Sequence, residues 1–144
     1  MKLLDANILL YAYDSSSAHH AACRSWLEAA LNEDEPVGLP WQTSLAFIRI
    51  STNPRAVRTP LAVDDACVIV DEILGRQTVR IVEPGDQFWS IFRKLVRSAK
   101  VSGPLVTDAV LAALALEQGA TLCSTDRDFR RFGNLKLVDP TDEG

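Results

Sequence analysis

Short apolar runs alternate along this chain with longer stretches in which apolar residues recur every three or four positions. Lys2 to Asp5 reads as a short buried strand, followed by a helix that opens near Asn7 and stops before the polar Asp14-Ser15-Ser16-Ser17 loop. From Ala18 to Leu31 the spacing predicts a helix with Ala22, Trp26, Ala29 and Ala30 on its inner face. Val37 to Leu39 is a brief strand. Pro40-Trp41 opens a helix reaching Ile50, which ends at Ser51-Thr52-Asn53-Pro54 because the residue before proline avoids the helical region. A helix from Asp64 to a stop at Gly75, a strand Val79 to Val82, a helix Asp86 to Ala99 and a very apolar helix Pro104 to Gln118 stopped by Gly119 follow. Thr121 to Ser124 and Leu135 to Val138 complete the strands.

Short apolar strands separated by helices predict right-handed βαβ crossovers. The expected fold is α/β, with a mainly parallel sheet of four to five strands flanked by helices on both faces. In such sheets ligands meet the C-terminal strand ends. Three aspartates sit at such places: Asp5 after Lys2-Leu3-Leu4, Asp126 after Thr121-Leu122-Cys123-Ser124, and Asp108 at the start of the apolar helix. Two carboxylates ~4 Å apart repel by roughly 4 kcal/mol at an effective dielectric near 20, so three brought together call for a cation. Oxygen ligands without His or Cys nearby favour Mg²⁺ or Mn²⁺ over Zn²⁺.

With 144 residues and 47% hydrophobic content, one domain over 1–144 is expected. A net charge of -4 argues against charge-driven coating of nucleic acid but leaves room for a local basic track. Two acid-free stretches offer one: Arg49, Arg55 and Arg58, and Arg93, Lys94, Arg97 and Lys100, the latter largely on one helix. The cysteines, Cys23, Cys67 and Cys123, lack metal-ligand spacing and read as small buried hydrophobes in a reducing compartment. The first residues resemble no signal or transit peptide, and no apolar run approaches the ~20 residues that span a bilayer, so the expected location is cytoplasmic. His19 and His20 read as packing or surface groups. Trp26, Trp41, Trp89, Phe47, Phe88 and Phe92 fall at spacings that suit core or dimer packing, with base stacking as the other use of such rings.

Asp5-Ala6-Asn7 after the first strand, Thr107-Asp108-Ala109 and Ser124-Thr125-Asp126-Arg127-Asp128-Phe129 resemble the motifs of PIN-domain ribonucleases, in particular VapC-type toxins of toxin-antitoxin pairs. Ala18-His19-His20 leading to Trp26, and Arg49-Ile50-Ser51-Thr52-Asn53-Pro54-Arg55, extend the resemblance over nearly the whole chain. It implies a single PIN-like domain, Mg²⁺ with Mn²⁺ as substitute in a carboxylate pocket, and hydrolysis of phosphodiester bonds in RNA. It also implies a homodimer, a VapB-like antitoxin partner, and no membrane. By it, Asp5, Asp108 and Asp126 are catalytic and bind the metal. Asn7, Thr107, Ser124 and Thr125 orient carboxylates or contact phosphate, and Asp128 either caps local backbone or touches the metal. Arg49, Arg55, Arg58, Arg93 and Arg97 contact RNA or antitoxin. The family usually adds a Glu on the helix after the second strand; the aligned position is Ser44, and no Asp or Glu occurs between Pro36 and Val63. Ser44, with Gln42 and Thr43 beside it, is left to assist, with one negative charge fewer. The alternative reading is therefore a catalytically weak or inactive PIN-like module that acts by binding RNA or an antitoxin. A phosphoacceptor receiver domain would need an acidic pair near the first strand, and this chain lacks it.

Overall fold

The strand Lys2–Leu4 (β1) lies at the centre of a five-stranded parallel sheet in the computed structural model, which describes residues 1–142. Around it the chain runs α1 (Ala6–Ala12), α2 (His20–Asn32), β2 (Val37–Pro40), α3 (Trp41–Ser51), α4 (Val63–Leu74), β3 (Val79–Val82), α5 (Phe88–Ser98), α6 (Leu105–Gln118), β4 (Thr121–Cys123), a 3-10 helix (Arg127–Arg131) and β5 (Lys136–Val138). The strand order is β3-β2-β1-β4-β5, with every pairing parallel. Such a sheet must be covered on both faces, because its strands are joined by crossovers that lay helices on each side.

Leu3 and Leu4 show how. Neighbouring strand side chains point to opposite faces, so Leu4 packs with Leu9, Leu27, Phe47 and Ile73 under α1 to α4, while Leu3 packs with Leu95, Leu114, Leu122 and Phe129 under α5 and α6. Both leucines are fully buried, which stabilises by ~1.5–3 kcal/mol each. β2 lies so close to its neighbours that a Cβ on Gly38 would come within 2.8 Å of Val82 Cγ2. The edge strands β3 and β5 expose more of their residues, as their sequences Val-Arg-Ile-Val and Lys-Leu-Val allow.

Several expectations shift at element ends and faces. α2 starts at His20 and buries Cys23, Leu27 and Ala30; Ala22 and Ala29 are exposed, and Trp26 is half-buried. The i, i+4, i+7 stripe through Leu27 holds more apolar area than one through two alanines, and it wins the core. Gly119 ends α6 at φ 62, the left-handed conformation that favours glycine, whereas Gly75 ends α4 at φ -75, which other residues adopt equally well. Cys23 and Cys123 are buried, but Cys67 is only half-buried. Phe47 is core, while Trp41 at 41% and Trp89 at 66% exposure are not.

Candidate metal centre at the switch point of the sheet

The chain leaves β1 toward β2 on one side and returns through β4 on the other, so a crevice opens at the C-terminal ends of β1 and β4. This is where open α/β sheets bind ligands. Asp5 follows β1 directly and Asp126 is the third residue after β4, and in the ladder Leu4 pairs with Cys123. The Asp5 amide donates to the Cys123 carbonyl at 3.0 Å, carrying the pairing one residue beyond the strands. Asp108, in the first turn of α6, reaches the same place. Carboxylate oxygens of Asp108, Asp126 and Asp128 lie within 4.8 Å of one another. Asp5 borders this trio, outside its tightest grouping, and its charge is felt at Asp108.

Asp5 is held by three donors. Its Oδ1 accepts from the Ala6 amide at 2.7 Å, and Oδ2 accepts from Asn7 Nδ2 at 3.2 Å and from Ser124 Oγ at 2.7 Å. Asn7 Nδ2 also donates to Ser124 Oγ at 3.1 Å, and Asn7 Oδ1 accepts from the Thr125 amide at 3.2 Å. Ser124 Oγ further accepts from the Asp126 amide at 3.0 Å. One hydroxyl and one amide thus tie the two strand ends together and orient both aspartates. Thr125 joins the network through its backbone rather than its side chain, and exposed Thr107 bonds none of the carboxylates.

Like charge at short range is visible in the titration of Asp108. Its pKa is raised from 3.8 to about 6, first by burial, then by Asp126, Asp5 and Asp128, with Arg131 alone acting in the lowering direction. Asp5 is also raised, chiefly by burial and further by Asp126, against the opposing hydrogen bonds from Ser124 and Ala6. Dense, oxygen-only negative charge is the donor set that suits a hard divalent cation.

Two residues take roles that were left open or unseen. The cap of the 3-10 helix is Asp126, whose Oδ1 accepts from the Asp128 amide at 2.9 Å; the Asp128 carboxylate belongs to the cluster and does not cap the helix. Arg131 escaped the sequence reading. Its Nη2 lies 3.5 Å from Asp128 Oδ1, a contact foreshadowed only by the three-residue spacing. On the other side, α3 supplies no carboxylate. Thr43 Oγ1 donates to the Leu4 carbonyl at 2.6 Å, fixing α3 against the end of β1. Its neighbour Ser44 is 2% exposed, and its hydroxyl has no partner. Gln42 is exposed on the same turn. Arg49, Arg55, Arg58, Arg93 and Arg97 are all exposed and make no ion pair with the cluster.

The PIN domain family matches residues 2–135. Ribonuclease VapC43 of Mycobacterium tuberculosis (strain CDC 1551 / Oshkosh) is 39% identical over 142 residues, spanning 99% of this chain and 97% of the relative. Ribonuclease VapC37 of Mycobacterium tuberculosis (strain ATCC 25618 / H37Rv) is 36% identical over 140 residues, spanning 97% of each. Among solved structures, VapBC-1 from nontypeable Haemophilus influenzae superposes with a TM-score of 0.72 at 18% identity, covering 98% of both chains. Mycobacterium tuberculosis VapC20, described as a Sarcin-Ricin loop cleaving toxin, gives 0.66 at 18% identity over 92% of this chain and 95% of that one. The chain belongs to the PIN-domain family, in its VapC branch.

Proposed function

We propose that this chain is the toxin of a toxin-antitoxin pair, a Mg²⁺- or Mn²⁺-dependent endoribonuclease that hydrolyses phosphodiester bonds in RNA and is restrained by a VapB-like antitoxin. The observation that carries the reading is the group of three carboxylates within 4.8 Å at the switch point, with Asp5 beside it, in a chain 39% identical to a ribonuclease. Asp108, Asp126 and Asp128 would hold the cation, with Asp5 at their edge. Once bound, the cation supplies Lewis acidity, activation of water and compensation of the charge that develops on phosphate.

The chain's own residues do the rest. Ser124 and Asn7 keep Asp5 in one orientation, so no reorganisation is needed when substrate arrives. Asp126 is fixed twice, by its amide on Ser124 and by its carboxylate on the Asp128 amide. Among the described residues no histidine, cysteine or lysine side chain bonds the acids, and in this reading water is the attacking group. Arg127 and Arg130 share a groove of about 150 Å³ with Asp126, Asp139 and Asp142, and their guanidiniums are the groups there that suit a phosphate. Free cysteines at 23, 67 and 123, and the absence of any helix long and apolar enough to cross a membrane among the described residues, fit a cytoplasmic setting.

A second reading, a binding module without turnover, is favoured by one observation: α3 supplies no acid, and Ser44 is buried with its hydroxyl unpartnered. Incubating the purified chain with structured RNAs in Mn²⁺, with EDTA and Asp108→Asn controls, separates the two. Cleavage that disappears in both controls is the expected result. Cleavage that survives Asp108→Asn points to a contaminant, and none on any RNA leaves the binding module.

A further inference from the structure

α5 is the cationic face of an otherwise acidic chain. Trp89, Ser90, Arg93, Lys94 and Arg97 line an open groove of about 370 Å³. Trp89, Arg93 and Arg97 follow one another at steps of four, so they stand in a row on one side of the helix. No acidic residue occurs in α5. The indole of Trp89 is 66% exposed, yet it is not loose: its ring centre lies 5.9 Å from that of Phe92, which in turn stacks on Phe88 at 5.8 Å. Trp89 thus presents an exposed aromatic plane beside three cations.

On the opposite side of the helix, Leu95 and Ser98, with Ala99 just past its end, share a separate groove of about 270 Å³ with Arg131, Phe132 and Asn134. From Arg97 to Trp89 the helix rises ~12 Å, the length of about three or four stacked nucleotides at ~3.4 Å each.

We infer that the α5 groove is an accessory site for unpaired RNA, with Arg93, Lys94 and Arg97 on the backbone and Trp89 stacking a base. This rests on the ribonuclease reading for its context, but not for its test. A stacking plane accepts any base and needs it unpaired, whereas cations alone would take a duplex equally well. A second copy of the chain is a poorer occupant, since a two-fold contact through this face would set like charges against each other.

The test measures anisotropy of a labelled single-stranded oligoadenylate, and of its duplex with oligouridylate, in EDTA so that nothing is cleaved. Trp89→Ala is expected to weaken single-strand binding about 5- to 150-fold while changing duplex binding little, and Trp89→Phe to retain most of it. Arg93→Ala with Arg97→Ala is expected to reduce the slope of log affinity against log salt by about 1.4. Equal affinity of both variants and the parent for the single strand overturns the inference. So does a loss confined to antitoxin binding, or a change in sedimentation mass with RNA affinity intact. Cleavage by the parent in Mn²⁺ is scored separately. Trp89-dependent binding without cleavage leaves the subsite and removes the nuclease; cleavage with Trp89-independent binding does the reverse.

Discussion

Ser124 Oγ donates a 2.7 Å hydrogen bond to Asp5 Oδ2 across 119 positions of sequence. The same hydroxyl accepts from Asn7 and from the Asp126 amide, so it is the point where the ends of β1 and β4 are joined. Ser124 is 4% exposed, and water cannot easily replace it. Ser124→Ala should cost about 1–3 kcal/mol in urea unfolding, because buried donors lose their acceptor. RNA cleavage should fall as well, since Asp5 and Asp126 both lose an orienting partner. Wild-type stability in this variant would contradict the network.

Asp108 is held against its neighbours' charge, and its removal should separate stability from activity. Asp108→Asn keeps the shape and removes one negative charge from the cluster. In EDTA the variant is expected to melt higher than the parent. In Mn²⁺ it should show a smaller thermal upshift and no nuclease activity. A variant that melts lower than the parent in EDTA would count against electrostatic strain at this site.

The pH dependence follows from the direction of the shift. Asp108 binds its proton more tightly folded, with a pKa of about 6 against 3.8, so the folded state holds more protons between those values. Its stabilising contribution is present at the acid end of that window and lost as pH rises through about 6; Asp5 shifts in the same direction. Both groups are partly solvated, so the effect is discounted for screening. Without divalent cation, the melting temperature of the parent should therefore decline more between pH 4.5 and 7 than that of Asp108→Asn. Mn²⁺ should stabilise more at neutral pH than at the acid end, where protons compete for the same oxygens. Scanning fluorimetry across the range reads both.

Ser44 sits where a hydroxyl earns no hydrogen bond. Ser44→Ala should stabilise the chain by up to about 1 kcal/mol, since it removes a buried group without a partner. Ser44→Glu places an acid in a site that is 2% exposed. It should destabilise the metal-free chain and tighten Mn²⁺ binding in titration calorimetry. Unchanged Mn²⁺ affinity would mean that the position does not face the cation.

Among the described residues, Arg131 and Asp128 form the one ion pair within the acidic group, at 3.5 Å. Asp128→Asn should weaken Mn²⁺ binding by removing one of the three clustered carboxylates. Arg131→Ala should tighten it at low salt by removing a competing cation, and the gain should fade as salt is added. Opposite signs for the two variants are the outcome that assigns Asp128 to the cation rather than to a local cap.

Periodicity and punctuation alone determined a good deal about this chain. Apolar runs too short for helices, separated by amphipathic stretches, leave little besides a parallel sheet covered on both faces, and Asp5 and Asp126 then fall at strand ends by counting. The signal is local, which is why it was legible. What lay beyond it depends on distance in space. The pairing of Leu4 with Cys123 makes β1 and β4 neighbours, and only then do Ser124, Asn7 and Asp5 meet. The choice between cap and cluster at Asp128 turned on whether Asp126 or Asp128 bonded the backbone, which spacing leaves open. The inner face of α2 passed to Leu27 because the core, not the helix, decides which stripe is buried. Trp89 reads from sequence as one more apolar residue at helical spacing; its exposure beside Arg93 and Arg97 exists only once α5 has packed its other side on α6. Local pattern sets which residues can share a face, and packing sets which face meets what.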